Sequence, residues 1–272
     1  MNDTFNFNRF WTYFKYDLKQ MWRNHSKAAI LIGGASAIFY VVWVLISLVF
    51  AQRWTAPPIA ARAVVFVLAF AVLNIYAARL YGHLTEKKAG SAWLMIPASK
   101  AEKFVSMLLV TLIVIPLLFF AVYFVIDGFL SLVDPTFGQA LISGVTGLYS
   151  QFIEGVTTFS DESPVIVTPS SMVFPMIVSF FCNLLYFLLC GICFKKNKIV
   201  GAFAILFGIS LLSSLLLGLL VPQFVQNIQV DASEEEVVRW VVNTMNISIA
   251  LTCLITVGLG WGVWRRIKTI QH

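Results

Sequence analysis

Charge is scarce in this chain. Asp, Glu, Lys and Arg make up 12% of its 272 residues, against about 25% in a typical soluble domain. That shortage excludes a soluble globular protein, a disordered chain and a coiled coil. No Gly-Lys dipeptide occurs anywhere, so a phosphate-cradling P-loop is excluded and the chain cannot hydrolyse ATP by that route. Histidine is nearly absent: His25, His83 and His272 are unclustered, and no ligand set for zinc or another metal can be read from them. The four cysteines, Cys182, Cys190, Cys193 and Cys253, all lie in apolar runs, where thiols serve as small apolar fillers. Cys190-x-x-Cys193 has redox or metal spacing, but there is no second pair and no nearby His. No catalytic residue, cofactor or metal is therefore expected.

What remains is hydrophobic: 59% of the residues. Six stretches carry no Asp, Glu, Lys or Arg: 28–50, 63–78, 104–126, 172–194, 199–221 and 240–264. A helix needs roughly 20 mainly apolar residues to cross a bilayer. Five stretches reach that length alone. The second reaches it by borrowing Arg62 and Arg79, whose long side chains can snorkel to the headgroups. The expectation is an all-α integral membrane protein with spans at about 28–50, 60–80, 104–126, 172–194, 199–221 and 240–264. Residues 1–27 form a segment of their own and 28–272 one transmembrane domain. The first apolar run is longer than the roughly 7–15 residues of a signal h-region, so no cleavable signal is expected.

Orientation follows from the basic residues, which mark the cytoplasmic side. Sixteen of the nineteen lie before span 1, between spans 2 and 3, between spans 4 and 5, or after span 6. Only Arg53, Arg62 and Arg239 fall on the other side, with nine of the thirteen acids. Both termini are expected in the cytoplasm. The net charge of +6 is then a topology signal, and nucleic-acid binding is not inferred.

Residues 7–22 have a different pattern. At 100° per residue, Phe7, Phe10, Trp11, Phe14, Leu18, Met21 and Trp22 fall within an arc of about 120°. Arg9, Thr12, Lys15, Tyr16, Lys19 and Arg23 lie across from it. An amphipathic helix of this kind lies in the membrane interface among lipids. It either only pre-orients span 1 or also touches a cytoplasmic partner. The long external connection 127–171 fits a surface helix over 136–153 and a plain loop over 160–169. Ser233 with Glu236 reads as a capping box before span 6. Gly258-x-x-x-Gly262 is a helix-packing motif. Asn74, Asn183, Asn243 and Asn246 are intramembrane amides that favour bonds to neighbouring helices over substrate binding. No charge sits mid-span, which weighs against ion-coupled transport. Glu234-Glu235-x-x-x-Arg239 matches one motif of the prenyl-protease-like membrane family, but the intramembrane histidines which that family also needs are missing.

The connection 81–103 is the longest one on the cytoplasmic side. Pro97 stops what precedes it. Ser99 and Glu102 form a Ser-x-x-Glu capping box that starts a helix continuing as span 3 through Pro116, an expected kink. Leu84, Trp93, Leu94, Met95 and Ile96 are more apolar than a solvated loop requires. They pack under the bundle or against a partner.

This arrangement resembles the permease subunits of ABC-2-type exporters. The stretch Trp93-Leu94-Met95-Ile96-Pro97-Ala98-Ser99-Lys100-Ala101-Glu102-Lys103 looks like that family's Leu-Pro-x-Ser-Arg/Lys segment, with Ile96 for the usual Leu and Lys100 at the basic position. The resemblance implies a bacterial cytoplasmic membrane protein that moves a substrate using ATP hydrolysed by a separate ATP-binding-cassette subunit. It implies pairing with a second copy or a sibling permease. It also makes 84–103 a coupling segment, with Glu86, Trp93, Leu94, Pro97, Ser99, Lys100 and Glu102 as its candidate residues. Trp93 and Leu94 are the expected anchors in the partner's groove; Glu86, Lys87 and Lys88 are rim charges. A membrane scaffold or assembly factor is the alternative reading, and a channel or secondary transporter the second alternative.

Overall fold

The computed structural model describes residues 5–144, 169–228 and 234–269. Nine α-helices run through them: α1 (Phe7–Gly33), α2 (Ala35–Ala51), α3 (Ile59–Leu80), α4 (Lys87–Met95), α5 (Lys100–Leu109), α6 (Ile115–Val133), α7 (Pro169–Cys193), α8 (Lys198–Ile228) and α9 (Glu234–Thr269). Three-residue-per-turn segments occupy Gly82–Thr85 and Pro135–Phe137. No strand occurs among the described residues. Five helical runs are long and apolar enough to cross a membrane. Bent pair α1–α2 makes a sixth if counted as one span. The described residues are thus helical throughout apart from short connections, and the long apolar helices mark a membrane-embedded protein.

The first span differs from the expected one. The amphipathic helix does not end near residue 22; it continues to Gly33, because nothing in 23–32 stops a helix. The break falls at Gly34, where α1 and α2 bend by 45°. Glycines favour such a kink, and Gly33 is also needed for packing: a Cβ there would lie 2.9 Å from Val122 Cγ1 of α6.

Helices α5 and α6 are one continuous rod joined by a π turn at Val110–Val114. Pro116 explains the turn. Proline has no N–H to donate and crowds the preceding carbonyl, and widening the ladder accommodates both. The Ile115 amide bonds to the Val110 carbonyl, five residues back. The expected kink is absorbed this way.

A continuous aromatic layer joins α3, α6 and α7. Phe66 lies 5.1 Å from Tyr123 and 5.6 Å from Phe124, centroid to centroid, and Phe70 lies 5.0 Å from Phe180. Below it, α7 meets α3 backbone to backbone: a Cβ on Gly191 would collide with the Ala78 carbonyl oxygen. Of the Gly258–Gly262 motif, Gly262 packs against Leu189 of α7, while Gly258 has no atom within 4 Å of where its Cβ would be. Asn74 does not bond across helices as expected; its amide donates to the Phe70 carbonyl of its own helix. Helices α8 and α9 are peripheral. Only 6% of the apolar window of each is buried.

The bundle has two chemically distinct ends. One joins residues 52–58 to 127–141. There Arg62 does not snorkel outward. It is buried and donates to Asp127 Oδ1 (3.3 Å) and to the carbonyls of Phe137 (3.1 Å) and Gln139 (2.8 Å). Its guanidinium lies 3.9 Å from the Phe137 ring. A cation this far from water needs such partners, and the short helical turn after Asp134 supplies them. Asp134 in turn accepts from Tyr40, Trp54 and Thr136. Burial pushes its carboxyl up, but these donors outweigh burial and hold it at about 2. The expected surface helix at 136–153 begins only as helical residues 141–144; the rest of it, most of the loop 160–169 and Ser233 lie outside the described residues. The opposite end gathers the start of α1, residues 82–103, the 194–198 turn and the end of α9. Lys100 donates to the Lys268 carbonyl, Lys198 to the Gly82 carbonyl and Arg266 to the Ile192 carbonyl. This end holds the basic connections.

Candidate functional site

The basic end is organised around the N-terminus of α5. Ser99 is its N-cap. The Ser99 hydroxyl accepts from the Glu102 amide (3.2 Å) and Glu102 Oε2 accepts from the Ser99 amide (2.8 Å), which completes the capping box. Glu102 does more than cap. Its other oxygen accepts from the Asn6 amide (2.8 Å), and the Arg9 guanidinium reaches both oxygens at 2.7–3.0 Å. One carboxylate with no exposed surface therefore binds the start of α1 to the start of α5. The pair precedes the apolar stretch that begins at Phe104. Burial pushes Glu102 up, but Arg9 and the two amides outweigh it and hold the carboxyl down at about 2.

Trp93 sits directly behind this knot. It is 6% exposed, and its indole N–H donates to the Tyr13 hydroxyl at 3.0 Å. The Lys103 ammonium lies 4.7 Å from its ring and donates to the Trp93 carbonyl at 2.8 Å. Trp93 is therefore an internal strut between α4, α1 and α5. The side chain, expected to be an anchor for a partner, has a pocket and a hydrogen-bond acceptor in its own chain. Leu94 is half-buried against the core. The apolar residue turned outward is its neighbour Met95, 82% exposed, followed by exposed Pro97. Between Ile96-Pro97-Ala98 and the Asn8, Arg9, Thr12 and Tyr16 face of α1 lies an open groove of about 490 Å³. Glu86 and Lys100 are exposed at the edges of this region; Ser99 and Glu102 are interior.

The interfacial helix is two-sided along its apolar arc. Phe10 and Met21 are buried, and Phe14 and Leu18 pack on the core. Trp11 and Trp22, at the other edge of the arc, are about half exposed. Sequence reasoning missed Asp17 on the inner side. Asp17 Oδ2 accepts from the Tyr81 hydroxyl (2.8 Å) of α3's end and the Ser106 hydroxyl (2.7 Å) of α5. Beside it, His25 and Tyr76 share a 2.6 Å hydrogen bond. A cavity of about 20 Å³ under Asp17, Met21 and Tyr81 has room for one water. The signal was present in the sequence: at 100° per residue Asp17 stands about 20° from Phe10, in the middle of the apolar side.

Chemically, the region is a bonded junction of α1, α4 and α5 beside an open groove. No group of three His, Cys, Asp or Glu side chains that could hold a metal occurs among the described residues. Comparison with protein-family models, curated proteins and solved structures finds nothing that matches the chain.

Proposed function

We propose that the chain is the membrane permease of an ABC-2-type exporter, moving a substrate with ATP hydrolysed by a separate subunit. In this reading α1–α2 counts as the first of six spans, both termini face the cytoplasm and the membrane is the bacterial cytoplasmic one. The carrying observation is the groove of about 490 Å³ between α1 and residues 96–98, with Pro97 exposed on its wall and Met95, next in the chain to its lining residue Ile96, turned outward. Apolar surface left open in water favours a partner, at about 25 cal/mol per Å² removed. The wall behind it is stiff, because Glu102, Trp93 and Lys103 fix it to α1 and α5. Force applied at 95–98 passes through the capping box into the α5–α6 rod, which ends at the far side of the membrane. That is the mechanical requirement of a subunit driven from outside itself. The bare outer faces of α8 and α9 support pairing with a second copy or a sibling permease.

Mutational binding tests this reading. Met95→Asp should abolish co-purification with an ATP-binding-cassette ATPase while leaving membrane insertion intact, since an exposed residue carries little of the fold. Trp93→Ala should instead destabilise the permease by about 3–5 kcal/mol, the usual cost of removing a buried aromatic. Glu86→Gln should change binding little, because rim charges contribute weakly. Gentle purification that brings down no ATPase would remove the exporter reading. A stable complex with other membrane proteins and no ATPase would favour the scaffold.

A further inference from the structure

A second cleft, separate from the docking groove, opens at the basic end between α1, the end of α3 and the start of α8. Its volume is about 470 Å³. Its walls carry the basic side chains of Arg79 and Lys198, the imidazoles of His25 and His83, and the amides of Gln20 and Asn24. Glu86 is the one acid. The Lys198 ammonium donates to the Gly82 carbonyl, and its stem covers Gly82 so closely that a Cβ there would meet it. Lysine has three donors, so two remain for a ligand. Arg79 is exposed and has no hydrogen bond or ion pair among the described residues.

Cations, ring nitrogens and amide donors converging on one cleft fit a phosphate. The cleft's depth identifies what bears it. Arg79 ends a membrane-length helix, Lys198 begins another, and the half-exposed Trp22 of α1 is at the level where indoles favour the headgroup layer. Along α3, the helical period puts Val72 and Leu68 on the same stripe as Arg79. Both are exposed, at 48% and 60%. A headgroup held by Arg79 and Lys198 would therefore have an apolar track for its acyl chain running toward the bilayer centre. We infer that this cleft binds the phosphodiester headgroup of an anionic phospholipid. A glycerol headgroup fits better than choline, because two cations against one carboxylate repel a quaternary ammonium. Basic pockets at helix ends are the recognised chemistry of such sites. The inference rests on membrane embedding alone and is independent of the exporter reading.

The test uses the full-length protein in a neutral detergent and follows thermal unfolding by tryptophan fluorescence. Short-chain phosphatidylglycerol should raise the midpoint in a saturable way; phosphatidylcholine and inorganic phosphate at equal concentration should not. Arg79→Gln, which breaks no bond of the fold, should raise the half-saturating lipid concentration about fivefold, the effect of one cation at an anionic surface. Lys198→Gln should do the same where it folds. Glu86→Gln should tighten binding, and Lys15→Gln, outside the cleft, should leave it unchanged. Equal stabilisation by phosphatidylcholine, or an unchanged response in Arg79→Gln, overturns the proposal. Full stabilisation by inorganic phosphate shows a soluble-anion site and overturns the lipid assignment.

Discussion

Glu102 accepts hydrogen bonds from the Asn6 and Ser99 amides and from the Arg9 guanidinium, so its ionised form is the one the fold uses. Its folded pKa, about 2, lies below the ordinary 4.5. A depressed carboxylate contributes stability that is present above its unfolded pKa and is lost as pH falls through its folded value. The window is therefore about 4.5 down to 2. Glu102→Gln keeps the size of the side chain and removes the charge. Thermal unfolding of the two proteins should show the variant less stable at pH 7 and the difference shrinking through that window. A difference that stays constant down to pH 2 would mean that the Arg9 pairing does not hold α1 in place. These residue roles were only half legible. Ser99 and Glu102 announce their cap by spacing, because a cap is local. The Arg9 partner is 93 residues away, and the Tyr13 hydroxyl that draws Trp93 inward is 80 residues away; no short-range pattern encodes either. The burial of Arg62 is illegible for the same reason, since the carbonyls of Phe137 and Gln139 that hold it lie 75 and 77 residues on.

At the scale of elements, the helices follow from long uncharged runs, and what the runs leave open is where helices break and how near they approach. Local breakers decide the first: Gly34 bends α1 from α2, and Pro116 makes the π turn. Close approach is decided by residues without side chains. At Gly191 the Ala78 carbonyl already occupies the space, and a backbone atom cannot step aside as a side-chain tip can. Gly191→Ala should therefore destabilise the α3–α7 pair by about 1–3 kcal/mol, the range for overpacking. Gly208 of α8 faces no atom within 4 Å. Gly208→Ala should be neutral, or stabilising by up to about 1 kcal/mol through helix propensity. Unfolding of both in the same detergent makes the comparison. If Gly191→Ala is as well tolerated as Gly208→Ala, α7 does not sit on α3 as closely as described. The sequence marks both positions identically, as glycine in an apolar helix, so only the fold separates them.

The whole molecule is polarised. Arg9, Lys100, Lys103, Lys195, Lys196, Lys198, Arg265 and Lys268 belong to one end, while Asp127 and Asp134 belong to the other. This polarity was readable from the chain because it depends on counting charges between runs and on no tertiary contact. In the proposed reading this polarity sets the orientation, as cytoplasmic loops retain Lys and Arg during insertion. In a cysteine-free background, a single cysteine at Arg53, exposed in the 52–58 connection, should react with a membrane-impermeant thiol reagent in intact cells. One at Lys196, exposed in the α7–α8 turn, should react only after permeabilisation. Neither substitution alters the bias materially, since each side keeps its remaining charges. The outcome bears on more than topology. The groove beside Met95 shares its end of the bundle with Lys196, and ATP is in the cytoplasm. Labelling at Lys196 but not at Arg53 in intact cells would put that groove outside the cell. No ATPase could then reach it, and the exporter reading would fail with the topology. The expected pattern leaves the groove, the α5–α6 rod and the energy source on a single connected path from cytoplasm to the far end of the third span.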